Sequence, residues 1–239
     1  MPFPWKSLRL DVTALVVAVA LTVATVLWGL LLNRRPISEA DGQVLHEMVL
    51  HRSEGATAVM RAITDFFSPT VTLVLAAMIA GLLAWRRSPA AAAFVLGSTA
   101  AAATLAYLLK VVFARQRPPV VDHLADEHDF GFPSGHVTGT TALLVATAIA
   151  LTVGWSARRI AFALVVPAVV VGAVAASRLY LGVHWFSDTA AGVAIGLAGV
   201  AAALTVLPPT SWTAVDAWLS ALISRSRARR TPLARRASR

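Results

Sequence analysis

Six long apolar runs, separated by polar connections, organise the chain. The first extends from Leu10 to about Leu32, and the others are about Pro69–Trp85, Ala90–Phe113, Val137–Trp155, Ile160–Ala176 and Thr189–Leu207. A helix needs about 20 predominantly apolar residues to cross a bilayer. The pattern therefore predicts an all-α, polytopic membrane protein with six transmembrane helices inside residues 10–207.

The apolar run nearest the N-terminus has an alternative interpretation. Lys6 and Arg9 precede it, and a basic start before an apolar stretch is typical of a signal peptide. The apolar region of a signal peptide is usually only about 7–15 residues long. We therefore interpret Leu10–Leu32 as an uncleaved first span that follows a short N-terminus, residues 1–9.

The connection formed by residues 33–68 is the longest polar segment between two runs. Pro36 and Asp41-Gly42 punctuate it, and five acidic residues lie in it. Apolar residues at helical spacing between Gln43 and Phe67 predict one or two helices that lie at the membrane interface.

The segment after the last run, residues 208–239, also has a helical pattern. Residues 211–224 place five apolar side chains on one face, which predicts an amphipathic helix on the membrane surface: Trp212, Val215, Trp218, Leu219 and Leu222. Seven arginines follow in the last fifteen residues. We expect this basic tail to contact anionic lipid headgroups, and no aromatic pattern or fold supports nucleic acid as its partner.

Composition supports the membrane assignment. The chain has 239 residues, of which 57% are hydrophobic, and its mean hydropathy is +0.71, which is too apolar for an ordinary soluble domain. It contains no cysteine, so disulfides and thiolate chemistry are excluded.

The distribution of basic residues predicts an orientation. The N-terminus, the two shortest connections and the tail hold thirteen of the 21 lysines and arginines. Because basic residues favour the cytoplasmic side, both termini are predicted to be cytoplasmic. The connections 33–68, 114–136 and 177–188 would then face outward.

Three polar blocks lie at the outward ends of the runs. In the first, Lys110 and Arg117 are seven residues apart, so on a helix they would share a face two turns apart, until Pro118 blocks continuation. A lysine that extends toward the interface beside surface arginines is the alternative interpretation of this block.

The second block is Pro133-Ser134-Gly135-His136, directly before the run that begins at Val137. It predicts a helix N-terminus whose unpaired N–H groups, together with the helix dipole, favour an anion. Alternatively, it is a simple turn into a helix with a histidine at the membrane surface.

The third block contains Ser177-Arg178, His184 and Asp188. His184 and Asp188 are four residues apart and would share a helical face if the last span has begun by then. A carboxylate there can hold the proton of one ring nitrogen and direct the other nitrogen at an electrophile. A surface ion pair or a helix cap is the alternative.

The three blocks together suit phosphoryl transfer. Three cations can offset the charge that develops on phosphate oxygens, and N–H donors at a helix start can add hydrogen bonds. One histidine can attack phosphorus while the other protonates the departing oxygen. This chemistry requires no metal or other cofactor.

The ordered pattern K-x6-R-P, P-S-G-H, S-R-x5-H-x3-D resembles the type 2 phosphatidic acid phosphatase (PAP2) superfamily. All eleven defining positions are matched: Lys110, Arg117, Pro118, Pro133, Ser134, Gly135, His136, Ser177, Arg178, His184 and Asp188. The resemblance implies the helical core that this superfamily shares with the related haloperoxidases.

The resemblance also implies a role for each position. His184 would be the nucleophile that forms a phosphohistidine, Asp188 would orient it, and His136 would be the general acid. The phosphate would be bound by Lys110, Arg117, Ser134, Gly135 and Arg178. Arg115 and Gln116 could also line the site.

The expected substrate is a lipid phosphomonoester or diphosphate, such as phosphatidic acid, phosphatidylglycerophosphate or undecaprenyl diphosphate. Three alternatives are phosphotransfer to another acceptor, vanadate-dependent oxidation as in the haloperoxidases, and a non-enzymatic lipid carrier or scaffold. The sequence does not indicate an oligomeric state.

Two further features bear on the chemistry. The acidic stretch 122–129 could recruit a divalent cation, but we interpret it as a solvated outer loop, and neither His46 nor His51 has a recognisable ligand geometry.

Asp188 should favour a protonated His184, although a nucleophile must be neutral. Two histidines with opposite requirements predict a bell-shaped pH dependence.

Overall fold

The computed structural model describes residues 10–86 and 88–230. These residues form ten α-helices and no strands, with short 3₁₀ turns at Val120–Asp122 and Pro209–Ser211. The helices are α1 Val12–Leu31, α2 Arg35–Leu50, α3 Glu54–Phe66, α4 Pro69–Trp85, α5 Pro89–Phe113, α6 Gly135–Leu151, α7 Ala157–Ala163, α8 Val165–Tyr180, α9 Phe186–Val206 and α10 Trp212–Arg230. The all-α prediction is confirmed.

All six apolar runs are helical, but the count of six spans is not confirmed. In the described part of the chain, four segments are long and apolar enough to cross a membrane: Val12–Leu31, Pro89–Phe113, Ala157–Tyr180 and Phe186–Leu222. Helices α3 and α4, which are bent by 52°, provide a fifth if they are taken as one span. Helix α6 is apolar but has only 17 residues. The chain is therefore a multi-pass membrane protein.

Helix α9 lies at the centre of the bundle and packs against α1, α5 and α6. Its glycines permit close approach to α6, because a Cβ at Gly192 would lie 3.0 Å from the Ser134 carbonyl oxygen and one at Gly196 would lie 2.5 Å from Thr141 Cβ. Gly192 and Gly196 therefore allow close helix packing, as small residues do in membrane helices. This approach holds the starts of α6 and α9 together.

Helix α5 ends earlier than its polar block predicted. Ala114 has a left-handed backbone (φ 41°) and terminates α5 four residues before Pro118. Lys110 is therefore in the last turn of the helix, whereas Arg117 lies in the following connection. The prediction that the two share a helical face is wrong, because the chain turns between them.

The fifth run is broken near its proline. Helices α7 and α8 meet at Leu164, three residues before Pro167, whose ring has no N–H and disfavours a continuous helix at that point. Helix α8 then continues to Tyr180, so Ser177 and Arg178 lie in its last turn and not in an outer loop.

The connection 33–68 forms two helices, α2 and α3, which pack against α8, and α2 also contacts α9. Asp41 and Gly42 do not interrupt α2, contrary to the sequence pattern. Asp41 is buried because its carboxylate has partners in other elements, and these partners outweigh its weak helix propensity.

Helix α10 is not a free surface helix. Trp212 and Val215 are buried against α5, and the rings of Trp212 and Phe94 lie 5.4 Å apart. Asp216 accepts a hydrogen bond from the N–H of Ala90 at 2.8 Å and so caps the start of α5. The N-terminus 1–9 and the end of the basic tail, residues 231–239, lie outside the described residues.

The glycine contacts generate a prediction about stability. Gly196→Ala should destabilise the fold by about 1–3 kcal/mol, because the new methyl group overlaps Thr141. Gly172→Ala in α8, where a Cβ meets nothing within 4 Å, is the matched control and should leave stability unchanged or raise it. Thermal unfolding in detergent measures both, and equal melting temperatures would contradict the packing argument.

Candidate active site

His184 and Asp188 form the centre of the candidate site. His184 lies between α8 and α9, and its Nδ1 is 3.3 Å from Oδ2 of Asp188 in the first turn of α9. Both side chains are buried. Arg117 Nη1 lies 3.0 Å from His184 Nε2, and since a guanidinium only donates, Nε2 is the acceptor and Nδ1 carries the proton. The two side chains meet across the start of α9, because His184 precedes the first residue of that helix, Phe186, and Asp188 lies in its first turn.

The surroundings of His184 favour its neutral form. Burial, together with the nearby cations Arg117, Arg178 and Lys110, holds the pKa of His184 well below its usual value. Asp188 by itself would favour the protonated ring, as the sequence indicated. Desolvation and three positive charges outweigh one carboxylate. A neutral ring is the form that a nucleophile requires.

Three cations from three different segments converge beside this pair. Lys110 Nζ lies 3.0 Å from Asp129 Oδ2, and Arg117 Nη2 lies 3.2 Å from Glu127 Oε2 and also pairs with Asp129. Arg178, which is 1% exposed, pairs with the other oxygen of Glu127. The predicted phosphate-binding cations are therefore brought together, and two carboxylates lie among them.

The stretch 122–129 is thus not a simple solvated loop, contrary to our expectation. Buried cations require anionic partners, and Glu127 and Asp129 supply them from the connection between α5 and α6, which also carries Arg117. Burial raises the pKa of Asp129, but the charge of Lys110 and hydrogen bonds from Lys110 and Arg117 outweigh it and hold that pKa below its usual value. Side-chain exposure is 17% for Glu127 and 58% for Asp129, so Asp129 is the more accessible of the two carboxylates.

The start of α6 contributes backbone donors. The N–H of Ser134 donates to the Asp188 carbonyl oxygen at 3.0 Å, which ties α6 to α9. The amides of Gly135 and His136 lie in the first turn, where a helix has no internal acceptor for them. Within the described residues, Ser134 Oγ is one of six buried side-chain polar atoms without a hydrogen-bond partner. His136 is buried beside Arg178 at one wall of a cavity.

Arg115, which the sequence indicated only as a possible lining residue, contacts Asp188 of the candidate site directly. Its Nη1 contacts Asp188 and donates to Ser187 Oγ at 2.7 Å, and its Nη2 is 2.7 Å from Asp41 Oδ2. Gln116 contributes only its carbonyl oxygen, which accepts a hydrogen bond from the Trp185 indole at 3.0 Å. Sequence reasoning missed Asp41, because it lies 74 residues from Arg115 with no motif around it.

Two cavities adjoin the cations. One, of about 640 Å³, is bordered by polar side chains of α3 and the loop before α6, and reaches His136 and Arg178. Its lining includes Arg61, Asp65, Ser68 and His123. The other, of about 200 Å³, lies between α4, α5 and α6 and extends from Tyr107 and Leu73 to Lys110.

No group of three or more His, Asp or Glu side chains is arranged to hold a metal ion in the described parts of the chain. His46 and His51 are exposed on and just after α2, and His51 lies 3.8 Å from Glu47. Within the described residues, neither histidine contacts a residue of the candidate site.

The helical membrane fold brings three cations, two histidines and an aspartate together at one end. This combination is typical of a membrane enzyme that acts on phosphate groups. The family model of the PAP2 superfamily matches residues 91–212. The chain belongs to the PAP2 superfamily, as its motifs indicated.

Named relatives agree with this assignment. The chain is 31% identical over 174 residues to decaprenylphosphoryl-5-phosphoribose phosphatase of Mycobacterium tuberculosis, which covers 69% of this chain and 88% of that protein. Its fold is similar to a transmembrane PAP2 type phosphatidylglycerolphosphate phosphatase from Bacillus subtilis, with a TM-score of 0.69, 24% identity, and coverage of 78% of this chain and 93% of that one.

Aquifex aeolicus LpxE has a more distant likeness, with a TM-score of 0.54, 19% identity, and coverage of 68% of this chain and 93% of that one. These two structural likenesses concern the fold. Together with the family match and the curated relative, they make the chain a membrane phosphatase of the PAP2 superfamily.

The carboxylates among the cations generate a prediction about anion binding. Asp129→Asn removes a charge that competes with phosphate for Lys110 and Arg117, so inorganic phosphate should inhibit the variant at a lower concentration. The inhibition constant should fall by up to about fivefold, because an ion pair with an exposed partner is worth at most about 1 kcal/mol.

Asp126→Asn is the matched control for that measurement. It removes one charge from the same loop, at an exposed side chain that forms no ion pair among the described residues. Equal inhibition constants for the two variants would mean that Asp129 does not compete with phosphate.

Proposed function

We propose that the protein hydrolyses a phosphomonoester or diphosphate of a lipid through a phosphohistidine on His184, without a metal. The observation that carries this proposal is the buried, neutral His184, whose Nδ1 proton points at Asp188 and whose Nε2 faces the cation cluster. We use the name cation cluster for Lys110, Arg117 and Arg178.

Phosphate would replace the two carboxylates in the cation cluster. Arg117 now donates to His184 Nε2, so a bound phosphate dianion must draw the guanidinium toward its own oxygens before the nitrogen can attack. The amides of Gly135 and His136 and the unpartnered Ser134 hydroxyl would add hydrogen bonds to the same oxygens.

The reaction would proceed in two steps. First, the Nε2 lone pair of His184 forms a bond to phosphorus while the bond from phosphorus to the lipid oxygen breaks. His136 gives that oxygen a proton, which it takes up when the bound phosphate places negative charge beside it and offsets Arg178. Asp188 stabilises the positive charge that develops on the ring of His184. Water then attacks phosphorus, the phosphorus–nitrogen bond breaks, and His136 takes a proton from the water.

The cavity on the His136 side favours one group of substrates. A general acid must face the departing oxygen, and the cavity of about 640 Å³ beside His136 is lined with polar and charged side chains. It suits a polar group next to the scissile bond, such as a phosphorylated sugar, after which the mycobacterial relative is named, or a glycerol headgroup. Lipid chains would lie along the apolar cavity between α4, α5 and α6.

The site would lie on the extracytoplasmic side of the membrane, with both termini in the cytoplasm. Two observations support this proposal. The site residues come from the connections and helix ends that the basic-residue distribution assigns to the outside, and α2 and α3 pack at that same end.

The first prediction from this proposal concerns turnover. His184→Ala should lower kcat by on the order of 10³-fold or more, because no other group replaces the nucleophile. His51→Ala, at an exposed histidine, is the control and should be fully active. Phosphate release is measured on a panel of phosphatidic acid, phosphatidylglycerophosphate, undecaprenyl diphosphate and a polyprenylphosphoryl sugar phosphate.

The same panel separates the alternatives. An active His184→Ala protein would eliminate the phosphohistidine route, and a folded wild type that is inactive on every lipid would favour a carrier or scaffold. Transfer to an alcohol acceptor without phosphate release would identify a phosphotransferase. Halide oxidation with vanadate would identify a haloperoxidase.

The second prediction concerns pH. Because the pKa of His184 is lowered, the acid limb of kcat/KM should lie below pH 6.5, the ordinary value for a histidine. The neutral ring is the active form, so activity is lost as pH falls through that pKa. Ionisation of the substrate phosphate is measured separately by phosphorus NMR, and an acid limb above pH 6.5 after that correction would contradict the assignment.

A further inference from the structure

A chain of buried charges extends from α2 to the proposed nucleophile. Asp41 on α2 contacts Arg115, Arg115 contacts Asp188, and Asp188 contacts His184. Asp41 is only 2% exposed, and the exposure of the Arg115 side chain is 13%. Asp41 lies outside residues 91–212, which match the family model, and no sequence motif marks it.

We propose that Asp41 and Arg115 are positioning residues of the reaction, which hold Asp188 in register with His184 and keep its negative charge effective. This inference rests on the proposed role of His184 as the nucleophile.

The contacts of Asp41 fix its position on the start of α9. Its Oδ1 accepts a hydrogen bond from the Ser187 N–H at 2.9 Å, and its Oδ2 accepts one from the Ser187 hydroxyl at 2.6 Å and pairs with Arg115 Nη2 at 2.7 Å. Both oxygens are therefore satisfied inside the protein. Asp41 fastens α2 to the residue directly before Asp188.

Arg115 links the two carboxylates with its two terminal nitrogens. Nη2 binds Asp41, and Nη1 binds Oδ1 of Asp188, which leaves Oδ2 for the Trp185 N–H at 3.0 Å and for His184 Nδ1 at 3.3 Å. Each oxygen of Asp188 has its own partners. The carboxylate can therefore rotate only if several buried hydrogen bonds break, which keeps Oδ2 directed at the histidine.

The charges explain why Asp41 is needed as well as Arg115. Attack by His184 places positive charge on its ring, and Asp188 stabilises that charge. A lone guanidinium on Asp188 would oppose this effect, since it neutralises the carboxylate. Asp41 balances Arg115, so that the trio of Asp41, Arg115 and Asp188 retains one net negative charge next to the histidine.

The role makes opposite predictions for two substitutions. Arg115→Met removes a positive charge, so Asp188 acts more strongly on His184 and the acid limb of kcat/KM should move to higher pH. Asp41→Asn leaves Arg115 unbalanced, so the limb should move to lower pH. The groups that face His184 from the surrounding elements stay unchanged in both variants: Lys110, Arg117, Asp129, His136, Arg178 and Asp188.

The main experiment uses the full-length protein in detergent with the best lipid substrate from the panel. Asp41→Asn should lower kcat roughly ten- to a hundredfold. This range is an analogy with metal enzymes, in which removal of a group that orients a ligating histidine has an effect of that size. The inhibition constant for inorganic phosphate should stay within about twofold of wild type, because the cation cluster is untouched. Glu39→Gln, an exposed charge loss on the same helix, is the matched control and should be fully active.

A double variant tests whether Asp41 acts through Arg115. In the Arg115→Met background, Asp41→Asn should have a much smaller effect on kcat than it has alone, since the charge that it balances is gone. Equal effects in the two backgrounds would overturn the proposed chain. An Asp41→Asn protein with the kcat of Glu39→Gln would also overturn it.

Folding is checked by thermal unfolding of each variant. If Asp41→Asn is not recovered folded, Asp41→Glu replaces it. This variant keeps the charge and should therefore keep the acid limb at the wild-type pH, and a displaced limb would count against the proposal. If the His184→Ala protein is active, the proposed function itself is wrong. If His184→Ala is inactive but Asp41→Asn is fully active, only the inference about Asp41 and Arg115 is wrong.

Discussion

The need to neutralise three buried cations is the constraint on which this end of the molecule depends. Lys110, Arg117 and Arg178 come from three segments and lie within one site, although like charges repel and burial removes their hydration. Glu127 and Asp129 satisfy them in the structure. The same arrangement that binds two carboxylates suits the oxygens of a phosphate, because both ligands present several anionic oxygens to the same donors.

The connection between α5 and α6 covers the cations with Glu127 and Asp129. These two carboxylates are partly exposed, whereas Lys110 and Arg178 lie in the last turns of α5 and α8, and Arg117 lies near the start of the same connection. Under the proposed function, a phosphate would replace these two carboxylates at the cations. The two carboxylates balance the charge of the cations in the structure.

Close helix packing supplies the second condition. Glycines of α9 let it approach α6, and the Ser134 N–H then reaches the Asp188 carbonyl oxygen. The helix start that offers N–H donors and the helix start that carries Asp188 are consequently fixed to each other. Arg115 and Asp41 extend this fixed region to α2, so that elements far apart in sequence hold one aspartate in place.

Apolar periodicity and the three polar blocks were sufficient to predict an all-helical membrane protein of the PAP2 superfamily and to select the residues that meet at its site. Such information is local: a run of apolar residues requires a helix in lipid, and a motif preserves the spacing of its own members. The number of spans was less well predicted, because α6 is short and because α3 and α4 meet at an angle of 52° and form at most one span together.

Only the tertiary structure decided the partners of these residues. The sequence does not show that Glu127 and Asp129 lie among the cations, that burial and neighbouring cations keep His184 neutral, or that Asp41 reaches Arg115. These contacts join segments that are distant along the chain, and their strength depends on burial, which no linear pattern records. The identity of the candidate site residues was therefore local information, whereas their charge states and orientation arose from packing.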